Sequence, residues 1–265
     1  MQSNEQVLHD ITPDHRLEGK TAIVTGSTSG IGEAIARVLA ASGATVVVSG
    51  RDADRARGVV DTITAAGGTA HAVTVDLGGS YDDIRKFAAE ATETLGGRVD
   101  ILVNNAGLYP VTATEGLPDA DLDAMLAVNV RAPHVLVAAL APSMVEQGCG
   151  VIINIGSWMA RVGSPFGAMY TATKAATEQL TRAWAAEYGP SGIRVNTVAP
   201  GATLTPGNAD SEAILDQMTA NTVAGRPVRP VDIAFGVRYL ASDDATFVHG
   251  TTLDVDGGLL ATRLA

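Results

Sequence analysis

Apolar and polar positions along this chain alternate between two kinds of block. Short apolar runs bounded by glycine or polar residues read as buried strands: Lys20-Thr-Ala-Ile-Val-Thr, Ala44-Thr-Val-Val-Val-Ser, Ala72-Val-Thr-Val, Val99-Asp-Ile-Leu-Val, Gly150-Val-Ile-Ile-Asn-Ile and Thr252-Leu-Asp-Val. Between them lie stretches with helical periodicity. Glu33 to Ala41 is apolar-periodic, and Tyr170 to Tyr188 lacks Pro and Gly and is rich in Ala, Leu, Glu and Gln. The Ala-rich stretch Ala138 to Ala141 reads as close-packed helix. Strand and helix alternate with no linker and no internal repeat, which predicts one α/β unit.

Composition narrows the picture. A chain of 265 residues with 46% hydrophobic content can bury a large core. A net charge of −11 without a basic cluster argues against nucleic acid as a partner. Met1 to Leu17 is polar, so no signal peptide is expected, and no apolar run is expected to span a bilayer; cytoplasm is the default location and no membrane partner is expected. Residues 1–17 read as an N-terminal extension, an ordered arm or a disordered tail, ahead of a single domain over 18–265. Cys149 is the only cysteine, which excludes an intrachain disulfide, and the five histidines show no paired ligand spacing, so no metal site is expected.

Candidate chemistry collects at the strand ends. The first strand runs into Gly26-Ser-Thr-Ser-Gly30-Ile-Gly32 and then a helix. Glycine permits positive φ and close backbone approach, so such a turn can wrap a phosphate while the helix N-terminus offers its unpaired N–H groups. In a parallel sheet, ligands gather beyond the carboxyl ends of the strands, where Asp76, Asn105 and Ser157 fall. Tyr170 and Lys174 stand four apart on one helical face. A phenol needs a nearby cation to act as an acid or base near neutrality, and Lys174 is expected to be that cation.

Together these residues resemble the classical short-chain dehydrogenase/reductase family over nearly the whole chain. The matching pieces are Thr25-Gly-Ser-Thr-Ser-Gly-Ile-Gly32, Asp76, Asn104-Asn-Ala-Gly107, Asn129, Ser157, Tyr170 with Lys174, Asn196, and Pro200-Gly201 with Thr205. The resemblance implies a doubly wound parallel, Rossmann-like sheet with helices on both faces. It implies a catalytic tetrad of Asn129, Ser157, Tyr170 and Lys174 running reversible hydride transfer between nicotinamide and a carbonyl or alcohol. In that reading Tyr170 carries the proton, Ser157 gives a second hydrogen bond, Lys174 also holds the nicotinamide ribose, and Asn129 anchors a water leading to solvent. Cofactor contacts are expected from Gly26, Thr28, Ser29, Gly30, Ile31 and Gly32 in the turn, and from Arg51, Asp76 and Leu77 after the next strands. Asn105, Ala106, Gly107, Pro200, Gly201, Thr203 and Thr205 complete that set with Tyr170 and Lys174.

Cofactor choice turns on Ser49-Gly50-Arg51, which has glycine where an acid would bind an NAD ribose, followed by a guanidinium suited to a 2'-phosphate. NADP(H) is therefore expected, with NAD(H) the alternative because Asp52 and Asp54 lie close and Ser29 is not basic. Two segments are candidates for substrate contact, Leu108 to Asp119 and, as a lid, Thr203 to Pro227 with a helix-like stretch Ser211 to Thr219. Trp158, Met159, Phe166 and Met169 are candidates for an apolar wall or for core. The pattern is most similar to 3-oxoacyl thioester (acyl-carrier-protein) reductases. The alternatives are an NAD-dependent sugar, steroid or alcohol dehydrogenase and a non-catalytic nucleotide sensor. The resemblance further implies a homotetramer or homodimer built on the Tyr-Lys helix, which carries Ala172, Ala175, Ala176, Ala183 and Ala186; the final strand and turn, Thr252 to Gly258, is expected to be structural and near an interface.

Overall fold

The computed structural model describes residues 3–110 and 112–262. Among these, strands β1 (Thr21–Val24), β2 (Thr45–Gly50), β3 (Thr69–Thr74), β4 (Ile101–Asn104), β5 (Gly150–Ile155), β6 (Ile193–Pro200) and β7 (Thr252–Val255) form one sheet in the order β3-β2-β1-β4-β5-β6-β7. Every pairing is parallel. From β1 the chain winds outward through β2 and β3, then returns to place β4 on the other side of β1. That reversal opens a crevice at the carboxyl ends of β1 and β4.

The central strands are apolar on both sides because both faces are covered. Ala22 and Val24 of β1 join one core with α2 (Gly30–Ala41), α3 (Ala53–Ala65) and α9 (Pro230–Ala241). Ile23, pointing the other way, joins a second core with α4 (Tyr81–Thr94), α6 (Ala132–Gln147) and Trp184 of α7 (Ala168–Tyr188). Beneath α7 a buried polar chain crosses the sheet: Asn104 donates to Asn154 at 2.9 Å, Asn154 to Thr181 at 2.8 Å, and Thr181 and Thr197 share a hydrogen at 2.7 Å.

The described N-terminal residues, from Ser3 on, are packed rather than trailing. α1 (Asn4–His9) lies on the first core through Leu8, and Leu17 is 1% exposed. The Asn4 side chain accepts from Val231 N at 3.0 Å, capping α9, while Glu5 pairs with Arg37 at 3.0 Å and Asp14 with Arg238 at 2.9 Å.

α5 (Asp119–Leu126) runs into α6 through a π-helical turn, Ala127–Arg131. The most apolar 18 residues of this combined 29-residue helix have a mean hydropathy of 1.6, enough by length and composition alone to cross a membrane, but 56% of that stretch is buried inside the fold. Its apolarity has a local cause: Val135, Leu136, Leu140 and Met144 form the second core against the sheet and α4.

Candidate active site

The glycine turn is interlocked with the end of β4. Gly26 and Gly30 have φ of +62° and +57°, a region that side chains disfavour. A Cβ at Gly32 would stand 2.2 Å from Gly26 O and 2.5 Å from the Asn105 amide, and one at Gly26 would stand 2.9 Å from Ala106 Cα. Asn105 spends its amide on this turn, donating to Thr25 O at 2.8 Å and Gly26 O at 3.0 Å. α2 therefore begins inside the turn, at Gly30, and Ser29 does not cap it with its side chain. The first-turn amides of Gly30, Ile31 and Gly32 are left for an anion, which fits a dinucleotide pyrophosphate.

At the end of β2 the structure gives Gly50 a reason. A Cβ there would meet Thr28 Cγ2 at 2.7 Å and Oγ1 at 3.0 Å, so the glycine turn itself occupies the space of a side chain. Arg51 is exposed beyond it. Asp52 is the N-cap of α3, accepting from Asp54 N and Arg55 N at 3.0 Å each; the helix end engages this carboxylate. After β3, Asp76 accepts from Gly78 N at 2.9 Å and Leu77 is buried. Arg131 holds the same loop by donating to Gly78 O at 2.9 Å and Gly79 O at 2.5 Å, two residues after Asn129.

Asn129, Ser157, Tyr170 and Lys174 come from four places: the π turn, the end of β5 and two successive turns of α7. Asn129 is 3% exposed, and its side chain grips the backbone of Leu108, accepting from N at 2.8 Å and donating to O at 2.9 Å. It also donates to Thr173 Oγ1 at 3.1 Å. An inserted π turn re-aims a helical side chain, which suits this grip. Ser157, 6% exposed, starts the short helical turn Trp158–Arg161 and accepts from Met159 N at 3.2 Å. Lys174, also 6% exposed, donates to Ile155 O at 2.8 Å, and burial pulls its pKa down to about 8. Its ammonium is 5.9 Å from the Tyr170 ring centroid, and a Cβ on Gly107 would lie 3.5 Å from both Lys174 Nζ and Asn129 Oδ1.

Burial pushes the Tyr170 phenol up; the nearby Ser157 hydroxyl pulls the other way and Tyr109 adds to the rise. The sequence predicted a depressed phenol beside Lys174. The dry surroundings prevail, because Lys174 is itself desolvated and directs its ammonium to Ile155 O.

On the far side of the crevice β6 ends at Pro200, and a Cβ on Gly201 would stand 2.6 Å from Asp256 Cα. Thr203 donates to Gly201 O at 2.9 Å and bridges to Val228, so both ends of the segment over 203–227 meet. Thr205 packs over Gly30, its Cβ 3.5 Å from where a glycine Cβ would be. The segment carries α8 (Glu212–Thr219), preceded by a tight turn, Pro206–Ser211. Trp158, Met159 and Met169 are half-buried, and Phe166 is 53% exposed. Sequence reasoning flagged the stretch after Gly107 but missed Tyr109 within it. The Tyr109 ring meets that of Tyr170 edge-on, with centroids 6.5 Å apart and planes at 65°. An aromatic next to the Asn-Asn-Ala-Gly turn was the available signal. Among the described residues no group of three or more His, Cys, Asp or Glu converges on a metal position.

The short chain dehydrogenase family matches residues 20–215. The 2,5-dichloro-2,5-cyclohexadiene-1,4-diol dehydrogenase LinX of Sphingobium indicum is 38% identical over 245 residues, 92% of this chain and 97% of that protein. A solved structure provisionally described as a betaketoacyl-ACP reductase is 45% identical with a TM-score of 0.83, over 93% of this chain and 100% of the other. A Burkholderia cenocepacia short chain dehydrogenase in complex with NADP is 38% identical with a TM-score of 0.85, with the same coverage of 93% and 100%. With the crevice, the glycine turn and the Ser-Tyr-Lys cluster in place, the chain belongs to the short chain dehydrogenase family, and is an oxidoreductase acting between alcohol and carbonyl with NAD(P).

Proposed function

We propose that this protein is an NADP(H)-dependent oxidoreductase of ketones and secondary alcohols, with Asn129, Ser157, Tyr170 and Lys174 as its working groups. The observation that carries the reading is the buried Lys174 ammonium 5.9 Å from the Tyr170 ring, with the Ser157 hydroxyl near the Tyr170 phenol. A bound nicotinamide supplies or accepts the hydride. As a carbonyl is reduced, charge grows on its oxygen; the raised Tyr170 phenol holds a proton to give there, and Ser157 offers a second donor. Lys174 would hold the nicotinamide ribose, and Asn129 fixes the backbone of Leu108 beside it. In alcohol oxidation the same groups work in reverse.

The preference for NADP(H) is supported by Gly50, where Thr28 leaves no room for an acid, by the exposed Arg51, and by the use of Asp52 as a helix cap. The segment over 203–227 is the substrate loop, since its two ends meet beside the glycine turn. Among ketones the 3-oxoacyl thioester is the leading substrate, a reading supported by the likeness to the protein described as a betaketoacyl-ACP reductase. Assembly as a homodimer or homotetramer is supported by the outer face of α7, where Ala172, Ala175, Ala183 and Ala186 are exposed and permit close helix approach.

A panel of ketones and alcohols, including acetoacetyl-CoA and aromatic ketones of rising bulk, with NADPH, NADH and their oxidised forms, tests this at the nicotinamide absorbance. Turnover that is faster with the phosphorylated cofactor is expected. No turnover of any panel member would overturn the reading.

A further inference from the structure

Tyr109 meets both the catalytic cluster and the substrate loop, and both contacts run through its side chain. Its ring meets Tyr170 edge-on at 6.5 Å. Its phenolic oxygen stands 2.9 Å from where a Cβ on Gly207 would be, in the tight turn Pro206–Ser211. Neither support is slack. On one side the backbone is gripped at Leu108 by the buried Asn129 amide, at 2.8 and 2.9 Å, and just beyond at Thr112, whose carbonyl accepts from Gly167 N at 2.8 Å at the start of α7. On the other, Asn208 ties the turn to Thr205 N at 2.7 Å, Thr205 Oγ1 at 3.0 Å and Thr203 O at 3.0 Å. A phenol held between two fixed elements, yet 47% exposed, is placed to meet what approaches Tyr170.

We propose that Tyr109 latches the substrate loop to the catalytic tyrosine and sets the bulk of the substituent that the substrate carbonyl can carry. This rests on the assignment of Tyr170 above. A carbonyl oxygen within hydrogen-bond reach of Tyr170 brings its flanking groups against the neighbouring ring. A small or flat apolar flank packs on the exposed part of the Tyr109 ring. A bulky flank has to push the phenol off Gly207 and the loop with it. Gly207 belongs to the same device, because any side chain there competes with the Tyr109 hydroxyl for one place.

The test uses the full-length enzyme and the panel members it turns over, ranked by the bulk beside the carbonyl, with butanone, acetophenone and acetonaphthone as the graded set beside the best substrate. In Tyr109→Ala the kcat/KM for the bulkiest ketone relative to the smallest is expected to rise about tenfold or more, the scale on which pocket volume discriminates. A double-mutant cycle reads the contact directly. Gly207→Ala is expected to lower kcat/KM for the best substrate roughly tenfold in the parent and by about twofold at most when Tyr109 is already Phe, because removing the hydroxyl makes room for the methyl. NADPH affinity and melting temperature, measured on each variant, separate damage to the fold from loss of the latch; should Tyr109→Ala fail to fold, the conservative Tyr109→Phe cycle decides alone. An unchanged bulk ratio, or additive effects of Tyr109→Phe and Gly207→Ala, overturns the proposal while wild-type turnover stands. A wild-type protein inactive on the whole panel overturns the assignment of Tyr170 as well.

Discussion

Replacing Gly50 by aspartate is expected to weaken every dinucleotide, and replacing Thr28 by alanine in the same chain is expected to restore NADH alone. A Cβ at position 50 would stand 2.7 Å from Thr28 Cγ2 and 3.0 Å from its Oγ1. Carbon atoms rest at about 3.5 to 4.0 Å, so Thr28 has to retreat by about 1 Å, and the turn around the phosphates moves with it. Overpacking of this kind costs about 1 to 3 kcal/mol. If the turn carries the strain, the loss in Kd is roughly five- to a hundredfold for NADPH and NADH alike. Thr28→Ala removes both clashing atoms and leaves the new carboxylate free to accept from a ribose hydroxyl. The same carboxylate repels a 2'-phosphate, so NADPH stays weak. Titration of nicotinamide fluorescence against the single and double variants measures all four constants. Unchanged affinities in Gly50→Asp would refute the steric argument, and a double variant that recovers neither cofactor would refute the placement of the ribose at this strand end.

Arg51→Ala is expected to weaken NADPH by about ten- to a hundredfold, the worth of a charge-assisted hydrogen bond, with NADH unchanged; equal losses for both would count against a 2'-phosphate contact. Tyr170→Phe keeps the ring and its edge contact with Tyr109, so turnover should vanish while NADPH binding and melting temperature hold; near-normal turnover would remove Tyr170 from the mechanism. Because burial raises the Tyr170 phenol, reduction should hold its rate through neutral pH and decline in alkali while oxidation climbs with pH, as pH profiles in both directions would show. Burial lowers Lys174 from 10.5 to about 8, so the cost of its charge is complete below pH 8 and fades towards 10.5; urea unfolding should show the wild type gaining on Lys174→Met across that window. Arg194, 9% exposed, donates to the carbonyls of Leu240, Ala241, Ser242 and Ala245 at the end of α9, and Arg194→Met should cost about 2 to 4 kcal/mol in urea unfolding by stranding them.

The local grammar of the fold was legible. Apolar runs marked β1, β2, β4 and β5 to within a residue or two, and the absence of Pro and Gly marked α7, which starts two residues earlier than Tyr170 because Gly167, with φ of +72°, provides its N-terminal turn. The glycine spacing marked the turn between β1 and α2, and the spacing of Tyr170 and Lys174 marked two side chains that the fold brings near Ser157. What was not legible depends on residues far apart in the chain. Asp52 read as a candidate ribose ligand and is the cap of α3. Residues 1–17 read as an extension, and Leu8 and Leu17 lie in the core because α2 and α9 present an apolar seam to them.

The sequence by itself determined the α/β class, the turn that can wrap a phosphate and the identity of the groups that meet at the crevice, because each is encoded by residues within one strand, turn or helix. Only the tertiary structure decided their physical state. Tyr170 is raised rather than lowered since burial, a property of the assembled site, outweighs the cation four residues away. Gly50 is glycine because Thr28, brought over it by the pairing of β1 with β2, fills its space. Tyr109 matters because Tyr170 and Gly207, 61 and 98 positions further along the chain, both close on its side chain, and no short window of sequence holds all three.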